Sequence, residues 1–377
     1  MKKILILSVV ALALVSWAFA DNAQVMPARI GRLYIAPVHA FADGGFDSDW
    51  IYRPYANGSG SLNAFNLGFA LEYGVTDWIS AAIQWAPGIT IASTVDQQVP
   101  YLKTGSGAPV MTFSKSPVDA NGLADMFIGA KVLLWGDKAP LQSDKFRFAL
   151  ATGLKVPMPG HDFKQEYKNA QKGDPVTAVN GGNHTLGIGA RAYFDFVISD
   201  NFYLNLYGEY IGYPIKKDVK DASYGEYFAY MASREGINQA SLTMTGNQKW
   251  VKPEIKVQYG YDLTFEIEPV FSFSPAEGML LSAGLPFNFH MNPGKTYDIT
   301  FKKITEEAYR PAFEKNLKAA GGGNPSASFM TNPNVSAFMY GWKMPIEFKL
   351  QYGLPIVGQN SAAAHQLVLQ IKAYFQI

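Results

Sequence analysis

The sequence predicts an all-β chain, an antiparallel meander closed into a transmembrane barrel. Three observations carry this: apolar residues recur at every second position over runs of about ten residues; no segment after the first twenty is apolar enough for a membrane helix; and connections alternate between tight and long. A tilted strand needs roughly ten residues to cross a bilayer, whereas a helix needs ~20 consecutive apolar ones. Hydrophobic residues are 48% of the chain and charged residues only 17%, so the apolar content is abundant yet dispersed.

Alternation is clearest from Asn63 onward. Phe65, Leu67, Phe69, Leu71, Tyr73 and Val75 share one face; Ala64, Asn66, Gly68, Ala70, Glu72 and Gly74 share the other. The same pattern recurs with Phe146, Phe148, Leu150, Leu154 and Val156, with Leu186 to Phe196, with Val251, Ile255, Val257 and Tyr259, with Leu263 to Phe273, and with Ile346 to Tyr352. A soluble sandwich also alternates, but it seldom presents six consecutive large apolar side chains on one face. Tight turns are expected near Thr76-Asp77, Asp200-Asn201 and Asp262, and long polar loops near 92–120, 158–183 and 214–247. In outer-membrane barrels short turns face the periplasm and long loops the outside.

Twelve segments read as strands: 31–41, 62–75, 78–91, 122–135, 145–157, 184–198, 201–213, 248–261, 263–274, 279–290, 344–354 and 362–377. Twelve would leave residues 291–343 on the short-turn side. Adding Lys295–Lys303 and Val335–Trp342, with a turn at Asn292-Pro293-Gly294-Lys295, gives the preferred count of fourteen and makes 304–334 an outside loop. Within it, Ala308, Phe313 and Leu317 suggest a short amphipathic helix over 304–320, interrupted by Pro311 and stopped by Gly321-Gly322-Gly323.

The first residues read as an export signal. Lys2 and Lys3 precede the apolar run Ile4 to Val15, and Ala18-Phe19-Ala20 sets small residues where a signal peptidase cuts, so the barrel is expected to occupy 21–377 as one domain. Formal charge is +1, and removing Lys2 and Lys3 leaves −1, which gives no electrostatic case for a nucleic-acid partner. Without cysteine there is no disulfide framework and no thiolate metal site. At the other end Leu367, Leu369, Ile371, Ala373, Phe375 and Ile377 line one face of a terminal strand. This resembles the outer-membrane insertion signal read by the barrel-assembly machinery, with Leu369, Ile371, Phe375 and Ile377 as its residues. Ile377 stands where that pattern prefers Phe.

Catalysis finds no support. Gly187-Ile188-Gly189-Ala190-Arg191-Ala192 imitates a dinucleotide fingerprint, but its glycines alternate with apolar residues in a strand and no helix follows. No G-x-S-x-G elbow occurs. His39, His161, His184, His290 and His365 are scattered without metal-ligand spacing. The polar face is more informative. It places Lys131, Arg147, Lys155, Arg191, Glu209, Lys252, Glu254, Lys256, Glu266, Glu268, Glu347, Lys349 and Lys372 toward a lumen, with both signs in similar number. A hairpin at Asp262 would set Lys256 opposite Glu268 and Gln258 opposite Glu266.

The run Asn121-Gly122-Leu123-Ala124-Asp125-Met126-Phe127-Ile128-Gly129-Ala130-Lys131 is similar to the G-x-x-D-x-x-x-G-x-K strand of the outer-membrane transporters of the phenol meta-degradation pathway, architectural relatives of the long-chain fatty-acid (FadL-like) channels. Phe146 to Pro159, Asn183 to Tyr193 and Phe202 to Tyr213 fit the same series, so the likeness spans about 62–275. It implies a monomeric barrel in outer-membrane lipid that passes small hydrophobic solutes without a cofactor, with an N-terminal segment in the lumen, for which Asp21 to Ile30 is available. The competing classes are a general porin and a surface-exposed structural or adhesive barrel whose long loops bind partners.

Overall fold

The structure is a computed structural model describing residues 22–55, 61–96, 100–103, 110–113, 118–158, 185–219, 252–303 and 325–376. Its main sheet closes on itself through twelve antiparallel strands. They are β1 Ile30–Ala42, β2 Ser61–Thr76, β3 Ile79–Asp96, β4 Met126–Gly136, β5 Phe146–Val156, β6 Gly187–Ser199, β7 Phe202–Gly212, β8 Tyr261–Ala276, β9 in two pieces (Met279–Gly284 and Phe287–Asn292), β10 in two pieces (Ser326–Thr331 and Asn334–Met339), β11 Ile346–Gln359 and β12 His365–Gln376. Each pairs with its neighbours in sequence, and β12 pairs back onto β1 from Ile30↔Gln376 to Phe41↔His365. Closure leaves no unpaired edge in the ring, as a bilayer requires of backbone polar groups.

Burial follows the period of two. Along β2 the pattern is strictly alternating, with Leu62, Ala64, Asn66, Gly68, Ala70, Glu72 and Gly74 buried and Phe65, Leu71 and Val75 exposed. The outward set around the ring includes Leu33, Ile35, Ile128, Leu150, Leu154, Ile188, Phe196, Phe265, Ile267, Phe271, Phe348, Leu350, Leu367 and Leu369. So broad an apolar exterior belongs in lipid, not water. Short connections at 77–78, 200–201, 277–278 and 340–345 share one end with the start of β1 and the finish of β12. That end is periplasmic by the rule that long loops face out.

Two sequence expectations are corrected. The chain does not turn at Asp262: Lys252–Tyr259 runs on through Gly260 into β8. Likewise Asn292-Pro293-Gly294-Lys295 is no hairpin turn, because β9 continues past Gly294 into Lys295–Lys303. Those two outer segments pair with each other, and Lys217–Val219 adds to the far edge of Lys252–Tyr259 to make a separate three-stranded sheet; Gly260 N–H donates to Gly294 O at 3.0 Å where it leaves the barrel. The fourteen expected strands thus reduce to twelve in the ring plus two in this rim sheet. The helix expected over 304–320, and most of the loops at 92–120, 158–183 and 214–247, lie outside the described residues.

Prolines shape one wall. Leu285-Pro286 and Asn332-Pro333 split β9 and β10, since proline has no N–H to give the ladder. The wall is stitched across the breaks by Leu285 N–H to Pro269 O (3.1 Å), Asn332 N–H to Pro286 O (2.9 Å) and Tyr352 N–H to Pro333 O (3.0 Å).

Candidate functional site

The barrel interior is the only candidate the described residues offer, and its periplasmic end is occupied. Residues 22–26 pass inside the ring: Ala23 is wholly buried, and Val25 and Met26 nearly so. Lys131 on β4 donates from Nζ to the carbonyls of Asn22 (2.6 Å) and Gln24 (2.8 Å). Asp195 on β6 accepts from the Ala23 N–H at 2.9 Å. Around them Ala23 and Val25 pack with Leu133, Ala139, Ala149, Tyr193 and Tyr207, and the Lys131 ammonium lies 4.2 Å from the Tyr193 ring centroid. The segment leaves over the rim, where Ala28 N–H donates to Asp77 Oδ1 and Arg29 N–H to Gly74 O. A Cβ on Gly74 would come within 2.0 Å of Pro27 O, so only glycine lets the chain pass there.

Midway up, glycines form a seat. Gly129, Gly153 and Gly189 are aligned on β4, β5 and β6, and the Phe127 ring lies over them. A Cβ added to any of the three would meet that ring at 2.6–2.8 Å. The Arg191 guanidinium stacks 3.8 Å from the ring centroid and bonds both Glu209 on β7 and Gln84 on β3. Of the two glycines that imitate a nucleotide fingerprint, Gly189 makes room for the Phe127 ring, while Gly187 lies against Ile211, Lys155 and Tyr213.

Near the outer end a polar cluster gathers from β5, β8, β9 and the segment after β7. Lys155 Nζ is 2.9 Å from Tyr213 OH and 3.7 Å from Asp262 Oδ2. Tyr213 OH donates to Asp262, Asn292 Nδ2 donates to Asp262 Oδ1 at 2.7 Å, and His290 Nε2 approaches the same oxygen at 3.9 Å. Its other ring nitrogen is 3.2 Å from Thr264 Oγ1. Asp262, read from sequence as a turn, instead sits inside the barrel as the hub of this cluster.

The structure brings most of the expected polar residues inside. Lys131, Lys155, Glu209, Glu266, Glu268 and Lys372 are buried on interior faces, and Arg147, Arg191, Glu347 and Lys349 are partly so. Ion pairs join Arg147 to Asp195, Arg191 to Glu209, Lys349 to Glu268 and Lys372 to Glu347. Glu266 accepts from Asn288 Nδ2 at 3.2 Å, and Glu268 from Asn205 and Asn334. Lys252, Glu254 and Lys256 are the correction: they lie on the rim sheet, outside the ring, with Lys256 exposed and opposite Asp218 and Asp298. The cross-strand partners follow suit, since Glu268 faces Asn205 and Gln258 faces Thr296. Of the insertion-signal residues, Leu369 points outward and Ile371 and Phe375 share its face, while Ile377 lies outside the described residues, as do Ala18 and Ala20 of the expected cleavage site.

Sequence reasoning passed over the buried Arg32–Glu72 pair, Gln84, Phe127, Asp195, Tyr213 and His290 as parts of the interior. For Arg32, Glu72, Gln84 and Asp195 the signal was available, because each falls on the inward parity of its strand.

A closed sheet with a greasy exterior and a polar, charge-paired interior defines a transmembrane β-barrel of the outer-membrane type. The family model described as "Putative MetA-pathway of phenol degradation" matches residues 51–210, which contain the Asn121 to Lys131 motif. The COG4313 outer membrane channel from Pseudomonas putida F1 is similar in fold, with a TM-score of 0.54 at 12% identity over 95% of this chain and 100% of that one. A FadL homologue of Pseudomonas aeruginosa gives a TM-score of 0.33 at 9% identity over 93% and 90%. The beta domain of the Bordetella autotransporter BrkA gives 0.38 at 9% over 91% and 99%. No curated protein matches the chain.

Proposed function

We propose that this barrel is a passive outer-membrane channel for small hydrophobic or amphipathic solutes, and that residues 22–26 gate its periplasmic mouth. The observation that carries the reading is the way that segment is held: by hydrogen bonds to Lys131 and Asp195 and by side-chain packing, all reversible contacts inside the ring. Twelve strands enclose more room than an eight-stranded barrel filled by its own side chains, and less than the sixteen or more of a wide aqueous porin. Lys131, Arg147, Lys155, Arg191, Glu209, Glu266, Glu268, Glu347, Lys349 and Lys372 line the path. Being largely paired, they wet it without strong preference for either ion sign. The protein is no enzyme, needs no cofactor and acts as a monomer. Export removes residues 1–20 after Ala20, and the barrel-assembly machinery reads Leu369, Ile371, Phe375 and Ile377.

The test is single-channel recording in planar bilayers with uptake of labelled hydrophobic compounds by a strain lacking the protein. Small, weakly selective currents and reduced uptake support the reading. A bilayer that stays sealed with wild type and with Lys131→Ala alike overturns it, and sugars permeating as readily as apolar compounds replace it with a general porin.

A further inference from the structure

The barrel wall holds the segment in its mouth by the main chain. Lys131 Nζ donates to the carbonyl of Asn22 at 2.6 Å, and Asp195 Oδ1 accepts from the N–H of Ala23 at 2.9 Å. That carbonyl and that N–H belong to one peptide group, so a single secondary amide is clamped from both sides, by β4 at its oxygen and by β6 at its nitrogen. Lys131 also reaches the Gln24 carbonyl, at 2.8 Å. The side chains of Asn22 and Gln24 turn to each other instead, with Asn22 Nδ2 donating to Gln24 Oε1 at 3.2 Å. The Ala23 methyl is wholly buried, in one cluster with Leu133, Ala139, Ala149, Tyr193 and Tyr207.

The space concerned is the one that residues 22–26 fill, so its room is that of a short peptide with a small side chain. Its polarity is fixed as well, because lysine carries donors alone and a carboxylate accepts. A trans secondary amide offers an acceptor on one side and an N–H on the other. An ester or a tertiary amide lacks the N–H. A hydrocarbon lacks both groups and would leave two buried charged side chains unanswered, which costs their full desolvation. The segment itself reaches this place through Arg29, whose φ of 65° lies in the left-handed region that a residue other than glycine adopts with strain. A detached ligand bears no such strain.

We propose that residues 22–26 stand in for a solute: Lys131 and Asp195 form a binding site at the periplasmic mouth for a secondary amide with a small apolar group on its nitrogen, as in a short neutral peptide. The proposal rests on the reading of this segment as a gate and narrows it. A molecule of this class takes the place of the segment when the segment swings out, and a hydrocarbon of the same size does not.

The experiment uses two probes: the capped pentapeptide with the sequence of residues 22–26, and the same peptide methylated on the nitrogen that corresponds to Ala23. In detergent micelles the first probe should displace the segment of the wild-type protein, read by mass spectrometry as faster amide exchange over residues 22–29. The methylated probe, which cannot donate to Asp195, should need concentrations about tenfold higher. In planar bilayers Ala23→Glu should pass more current than wild type, since a second carboxylate buried beside Asp195 is costly and the segment is driven out. The unmethylated peptide should block that current with the same advantage, and adding Asp195→Ala should bring the two probes level. Equal action of both probes on wild type, or none by either, overturns the site and leaves the channel standing, and that comparison needs no variant to fold. A silent Ala23→Glu barrel, with wild type still favouring the first probe, overturns the channel reading and leaves the site.

Discussion

At the level of single residues, glycine acts here through what it leaves vacant. The Phe127 ring occupies the space that side chains on Gly129, Gly153 and Gly189 would fill, so the three glycines and the ring form one packed unit closed by Arg191. Phe127→Ala should lower stability by about 3–5 kcal/mol, the usual cost of emptying a buried aromatic site. Gly153→Val should cost about 1–3 kcal/mol through overpacking. Urea unfolding in detergent micelles, followed by tryptophan fluorescence, reads both. Lys131 has a different task. Its two bonds to the carbonyls of Asn22 and Gln24, each worth about 2 kcal/mol as charged hydrogen bonds, are lost in Lys131→Ala. The expected outcome is protease sensitivity within residues 22–29 and a severalfold larger channel conductance; unchanged conductance with a cleavable segment would separate the anchoring from the gating.

Among the elements, the hairpin of Gly44–Phe46 and Tyr52–Pro54 outside the membrane is organised by one carboxylate. Asp47 accepts from the backbone N–H groups of Ile51 and Asp49 and from Arg53 Nε. The Ile51 bond leads in holding its pKa below the ordinary Asp value, with Arg53 and Asp49 assisting against a desolvation penalty. A lowered carboxylate pKa contributes order that is present above the unfolded value and is lost as pH falls through the folded one. Amide protection over residues 47–53, taken relative to each amide's intrinsic exchange rate, should therefore hold from neutral pH down to the ordinary Asp range and fall only below it; Asp47→Asn, which keeps the accepting oxygen without its charge, should lower the protection and remove its pH dependence. The partnered Tyr52 moves the opposite way. Its hydroxyl donates to Asp43 at 2.6 Å, which with burial pushes its pKa up to about 12. At the seam between β1 and β12, Phe375 covers Gly31, and a Cβ there would come within 2.5 Å of the ring. Gly31→Val is expected to impair closure, seen as loss of the compact, heat-modifiable band in gel electrophoresis.

For the whole molecule, the sequence revealed the barrel because lipid outside and polar groups inside impose opposite demands on alternate residues. Phe65 to Val75 follow this alternation, and Leu367 to Phe375 follow it with Val368 as an apolar side chain turned inward. The strand count was harder, since parity cannot say whether a long alternating run is one strand or a hairpin. The clue lay in phase: Ile255, Val257, Tyr259, Tyr261, Leu263, Phe265 and Ile267 keep the same parity straight through Asp262. Interior contacts between distant strands, such as Arg191 with Gln84, were illegible because they depend on ring closure and on how far each side chain reaches.

The partnership of β1 with β12 carries a topological consequence. Since Ile30 stands opposite Gln376 at the same rim as the short 340–345 connection, the ring has no intrinsic beginning. A permuted gene that links residue 376 to residue 22 by a short flexible bridge and opens the chain between 341 and 343 should rebuild the same circle of strands from new termini when its product is refolded in detergent, without the assembly machinery.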